Sequence, residues 1–175
     1  MDRVLRRGMM ARIAAGVALA LVWLAGPAAA ANTVMKDISA NELVKMMRSQ
    51  GFSAKADMAS DGTPMIIARM GQVKFGVTTY GCKGAKGAMR CSRLQFVTVF
   101  DLKGAPSMQA VMAMNAYNNK RLFGRAYIDP EGDAILDMTV NLTRGVTTDN
   151  LVDNMTVWVG VLSDFMSDFG WETGV

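Results

Sequence analysis

Apolar residues along this chain recur with two periods, and the periods alternate in blocks. The widest block runs from Thr147 to Phe169. There Leu151, Met155, Trp158, Leu162, Phe165 and Phe169 follow one another at steps of four and three. That spacing puts all six on one stripe of an α-helix. Val152, Val159 and Met166 broaden the stripe, and Asp149, Asp153, Asn154, Ser163, Asp164 and Ser167 fall mostly opposite. Thr147 or Thr148 can cap the start, Asp149 suits the positive end of the helix dipole, and Gly170 stops the helix. A face this wide must be covered, and the strands before it are the available cover.

A shorter amphipathic helix is predicted from about Ala40 to Gln50, capped by Ser39, ended by Gly51, with Leu43, Val44, Met46 and Met47 turned inward. The period then drops to two. Phe52 to Met58 alternates weakly, Asp61-Gly62 is a hairpin signal, and Pro64 to Met70 has an apolar centre. After the Gly71-Gln72 turn, Val73, Phe75, Val77 and Thr79 point one way, with Lys74, Gly76, Thr78 and Tyr80 the other. Leu94, Phe96, Thr98 and Phe100 make one face of a fourth strand. Pro106 opens a second helix whose Met108, Val111, Met112 and Ala116 have core spacing, and Asn118 to Arg121 closes it. Leu122 to Asp129 and Ala134 to Leu142 form a last hairpin, with Leu136, Met138, Val140 and Leu142 inward and Asp137, Thr139 and Asn141 outward. Tight turns imply antiparallel pairing. The expected fold class is α+β, an antiparallel sheet packed against helices in the order α-β-β-β-β-α-β-β-α.

The first 31 residues read differently. Arg3, Arg6, Arg7 and Arg12 precede a twelve-residue apolar core from Ile13 to Leu24, then Gly26-Pro27 and four alanines. This is the pattern of a cleaved secretory signal peptide, so the expected localisation is periplasmic or secreted. The alternative is a retained membrane anchor, although the run is shorter than the roughly 20 residues of a span. The expected layout is signal peptide 1–31, flexible arm 32–37, domain 38–170 and tail 171–175. Without the signal segment, the net charge falls from +4 to +1. The high pI therefore reflects the leader, and with no basic stripe interleaved with aromatics, no nucleic-acid surface is expected. No membrane association is expected after cleavage.

Cys82 and Cys91 enclose eight residues rich in glycine. An oxidising compartment favours a disulfide between them, worth roughly 2–3 kcal/mol on the chain-entropy model. A redox or metal pair is the alternative, but the spacing is not C-x-x-C. The chain has no histidine, which excludes histidine-based triads and histidine-ligated metals. No phosphate-binding or dinucleotide fingerprint occurs, and no cofactor is assigned. Asp129, Glu131, Asp133 and Asp137 invite a Ca²⁺ reading, yet their spacing lacks the D-x-D-x-D-G pattern and fits a solvated turn. Met108, Met112 and Met114 invite a Cu(I) reading, but the first two sit at core spacing. No metal site is assigned.

Tyr117-Asn118, Phe123-Gly124-Arg125-Ala126-Tyr127-Ile128-Asp129 and Gly132-Asp133 form a clustered string. With Gly145-Val146-Thr147, Asn150-Leu151, Trp158, Asp61-Gly62, Phe75 and Cys91, it resembles the YbjN-like family over residues 37 to 169. That family is named for a role in bacterial sensory transduction. The resemblance implies a fold like that of type III secretion chaperones and a binding or regulatory module without catalytic residues. Here Tyr117 replaces the family's common Trp.

The expected function is thus an exported, non-enzymatic module that binds a protein or peptide. Arg125, Tyr127, Tyr117 and Asn118 are the candidate binding residues. Arg125 could instead pair with Asp137 across the hairpin, and Asn118 could bond the backbone near its helix end. Trp158 and Phe165 could seat a homodimer. The rival readings are a periplasmic enzyme using carboxylates or lysine, and a membrane-anchored accessory protein.

Overall fold

A computed structural model describes residues 32–102 and 106–170. The expected signal segment, Lys103-Gly104-Ala105 and the tail lie outside the described residues. In chain order the elements are β1 (Val34–Met35), β2 (Ile38–Ser39), α1 (Ala40–Ser49), β3 (Ser53–Met58), β4 (Pro64–Met70), β5 (Val73–Lys83) and β6 (Arg90–Phe100), then α2 (Met108–Lys120), β7 (Arg125–Ile128), β8 (Ala134–Asn141), β9 (Val146–Thr147) and α3 (Thr148–Asp168). The fold is α+β as expected. The main sheet runs β3-β4-β5-β6-β8-β7 with β2 beside β6, and every pairing is antiparallel. Because α2 interrupts the meander, β8 joins β6 and β7 becomes the edge.

One face of the sheet is the core. Its alternate residues include Phe75, Val77, Leu94, Phe96, Leu136, Met138 and Val140, all buried. From above come Leu43, Val44 and Met47 of α1 and the stripe of α3. Trp158 is fully buried, 5.7 Å from Phe75 and 5.8 Å from Phe96 between ring centroids. Its indole N–H has no hydrogen-bond partner among the described residues, so shape alone holds it. Side chains of this size each contribute about 1.5–3 kcal/mol when fully buried. All three helix starts among the described residues are capped, α2 by the Ser107 hydroxyl, which accepts from the Ala110 N–H. The Thr147 hydroxyl accepts from the Asn150 N–H, and Ser39 and Glu42 form a reciprocal capping box. Arg90, on the distant β6, donates to both Asp37 and Glu42 and locks α1 against the sheet.

Several expectations are corrected. Residues 32–37 do not form a loose arm: β1 pairs with β9, and the Thr148 N–H donates to Thr33 O at 2.9 Å. In α2 the expected core stripe faces solvent, with Met108 74 % and Met112 65 % exposed, while Met114 and Tyr117 are buried instead. Asp137 points away from the core, as expected, yet is only 4 % exposed. Trp158 and Phe165 are inside the protomer at 0 % exposure and cannot seat a dimer. The Cys82–Cys91 disulfide is present, and the two residues are cross-strand partners of β5 and β6. No helix among the described residues is long and apolar enough to cross a membrane.

Candidate functional site

The second face of the sheet carries no helix among the described residues. Strand alternation and register line up one row across six strands, Lys55–Ile67–Gly76–Val97–Asp137–Arg125. In the middle of this row Gly76 has no side chain, and a depression of about 400 Å³ forms there. Met65 and Ile67 wall it on the β4 side, Val97 and Val99 on the β6 side, and Lys74 stands at its rim. Val99 is 57 % exposed, unusual for a valine in a central strand.

Beside the apolar trough runs a polar chain. The Tyr80 hydroxyl donates to Gln95 Oε1 at 2.7 Å, and the Gln95 amide donates to Asp137 Oδ2 at 2.9 Å. Arg125 donates to the same oxygen at 2.5 Å, and its guanidinium lies 4.8 Å from the centre of the Tyr127 ring. The hydrogen bond to Asp137 raises the Arg125 pKa above its ordinary value. Burial, then the Asp137 charge, raises that of Tyr127. Asp137 is therefore a carboxylate on the uncovered face whose own neighbours cover it.

The four candidate residues divide into two pairs. Tyr117 is in the interior, where its hydroxyl donates to Val161 O at 3.1 Å and burial pushes its pKa up to about 12. It cannot present itself to a partner. Asn118 acts as a short strand: its amide N–H donates to Ala126 O and its carbonyl accepts from the Ala126 N–H, both at 2.8 Å. It thereby closes the free edge of β7. Between these pairs Gly124 passes close to α3 with φ +80°, and a Cβ there would lie 2.6 Å from Val161 Cγ1. Much of the Asn118-to-Arg125 string therefore serves to dock α2 and β7. Arg125 and Tyr127 remain at the surface, at the edge of the uncovered face.

Sequence reasoning missed Gly76, Gln95, Ile67, Val97 and Val99. Alternation puts Gly76 on the polar side of its strand, and that is the available signal. The Gly71-Gln72 turn implies the register of Gly76 with Ile67, but the longer β5–β6 connection leaves its register with Val97 unreadable. Charge is also segregated. Outer positions of the sheet carry Lys55, Arg69, Lys74, Arg93 and Arg125 against Asp57 and Asp137. The helix α3, on the opposite side, carries four aspartates and no lysine or arginine. Asp129 closes the β7–β8 turn by accepting from the Asp133 N–H at 2.8 Å. Among the described residues no group of three or more Cys, Asp or Glu is arranged to hold a metal ion.

Residues 39–171 match the family YbjN, whose description is "Putative bacterial sensory transduction regulator". The chain belongs to the YbjN family. The match takes in α1, α2 and α3 and all six long strands of the sheet, so both the covered and the uncovered face are parts of the YbjN domain. No curated protein matches the chain.

Proposed function

We propose that this YbjN domain is an exported, non-enzymatic docking module that holds a protein or peptide partner on its uncovered sheet face. The observation that carries the proposal is the contrast at the trough. Ile67, Val97 and Val99 form an apolar strip on a sheet whose other face is packed against α1 and α3 along β4, β5, β6 and β8. Exposed apolar strips rimmed by polar groups mark interaction surfaces. Arg125 and Tyr127 stand at one margin, and residues of these types are favoured at binding hot spots. The family description supplies a regulatory setting.

Export is supported by the leader-like pattern of residues 1–31 and by the Cys82–Cys91 disulfide, which suits an oxidising compartment. The non-enzymatic reading is supported by the depressions themselves. Those on the uncovered face, beside the start of α1 and between α2 and α3 are each lined by one carboxylate at most.

Site-specific photocrosslinking in the cell tests the docking role. A photoreactive residue in place of Val99 is expected to capture a discrete protein, and one in place of Thr156 on α3 is not. Capture from α3 alone would overturn the proposal. Mass spectrometry of the cell-derived protein tests export: a mature N-terminus near Asn32 is expected. An intact leader would favour the membrane-anchored reading.

A further inference from the structure

We infer that the trough takes an acidic, apolar segment of a partner protein, with a bulky apolar side chain entering at Gly76 and a neighbouring carboxylate lying between Arg69 and Lys74. This rests on the docking role above and specifies the chemistry of the occupant. Gly76 is not required by its backbone, since it is absent from the glycines with positive φ. Nor is it required by crowding. A Cβ there would meet Val97 Cγ1 at 3.6 Å and the Ile66 and Val97 carbonyl oxygens at 3.8 and 3.9 Å, which is ordinary contact. Glycine inside a strand weakens it and often marks a place where another group comes close. Ile67 and Val97 stand on the strands either side of β5, about 10 Å apart. That is room for a phenyl or leucyl side chain gripped from both sides.

The charges beside the trough fit an anionic neighbour. Arg69 and Lys74 are direct cross-strand partners. Like charges so placed destabilise a sheet. Both side chains are exposed, and neither forms an ion pair among the described residues. Arg69 reaches only the Gln72 carbonyl, at 3.4 Å. Lys55, in register with Ile67, extends the basic rim. A carboxylate between these cations would relieve their repulsion and fix the register of the apolar side chain. A second copy laid face to face would set cation against cation, so charge disfavours self-pairing through this surface.

The probe is a labelled peptide with one phenylalanine set between glutamates, titrated with the purified protein and followed by fluorescence anisotropy. Saturable binding is expected. It should weaken about tenfold or more in Gly76→Val, which fills the trough, and in the peptide with serine for phenylalanine. The Arg69→Glu/Lys74→Glu double variant should weaken it similarly, and added salt should weaken it for the parent protein. An unchanged melting temperature in Gly76→Val shows that the fold is retained. No saturable binding, equal binding by Gly76→Val, or preference for a lysine-containing control peptide would overturn the inference. So would binding to anionic phospholipid vesicles without peptide binding, or self-association abolished by Asp153→Lys on α3. Should Val99 still crosslink a protein while the acidic peptide fails, the docking role stands and only the acidic chemistry falls. Absence of a crosslink at Val99 removes both.

Discussion

The two faces of this sheet are built from the same strands and alternate residue by residue, yet they obey different rules. On the inner face β4, β5, β6 and β8 contribute large apolar side chains to the core shared with α1 and α3, and Phe75, Phe96 and Trp158 sit in mutual contact. On the outer face the same strands place Gly76, Val97 and Thr78 where nothing among the described residues covers them, and add a chain of polar groups ending at Arg125. The inner face answers to stability. The outer face keeps a glycine, an exposed valine and a like-charge pair, none of which stability requires. Features that cost stability and persist on one surface are the physical mark of a surface used for something else.

Substitutions can sharpen or break this contrast. The largest effect is expected inside. Trp158→Ala should destabilise by about 3–5 kcal/mol in urea unfolding, whereas Val99→Ala on the outer face should cost no more than about 0.5 kcal/mol. Equal costs would show that the outer face is packed after all. Next comes Asn118→Ala, which leaves the Ala126 N–H and C=O without their side-chain partner. A loss of about 1–3 kcal/mol is expected, with faster amide exchange confined to β7 and α2. Arg125→Ala is expected to cost about 1–2 kcal/mol, because the Arg125 side chain is 65 % exposed while its partner Asp137, 5 % exposed, loses a donor and keeps that of Gln95. The substitution should reduce partner crosslinking more than it reduces the melting temperature. The reverse order would make Arg125 a structural residue.

The smallest effect concerns pH. Hydrogen bonds from Arg90, then from the Ser39 backbone, lower the Glu42 pKa from 4.5 to about 2. A carboxylate depressed in the folded state contributes stability above its unfolded pKa and loses it as pH falls through the folded value. Glu42→Gln is therefore expected to lower stability at pH 7 by less than about 1 kcal/mol, since half of the Glu42 side chain is exposed. The difference from the parent should shrink between about pH 4.5 and pH 2. A constant difference across that window would show that the ion pair with Arg90 does not form.

Much of the inner face was legible in the sequence. The stripe from Leu151 to Phe165 predicted the buried side of α3, because an amphipathic helix writes its contacts into its own period. The strands β4, β5 and β8 followed from alternation and turn residues for the same reason. In α2 the same logic misled. Met108 and Met112 have helical spacing but lie on the exposed side, while Tyr117 and Met114 anchor the helix to α3 and β7. A short helix tied down by Asn118 and Arg121 does not need a continuous apolar face. The trough was illegible because it is a property of register. The two-residue Gly71-Gln72 turn sets Ile67 opposite Gly76, but β5 and β6 are joined by a longer loop, so no local pattern places Val97 beside Gly76.

The central claim is that the uncovered sheet face, and not the exposed apolar side of α2, receives the partner. Val99→Glu and Met112→Glu place the same new charge on these two surfaces, both on exposed side chains. Crosslinking yield to the captured protein, measured in cells from a photoreactive residue at Thr78, compares them directly. The account predicts that Val99→Glu abolishes the crosslink and that Met112→Glu leaves it unchanged; loss on Met112→Glu with retention on Val99→Glu would contradict it.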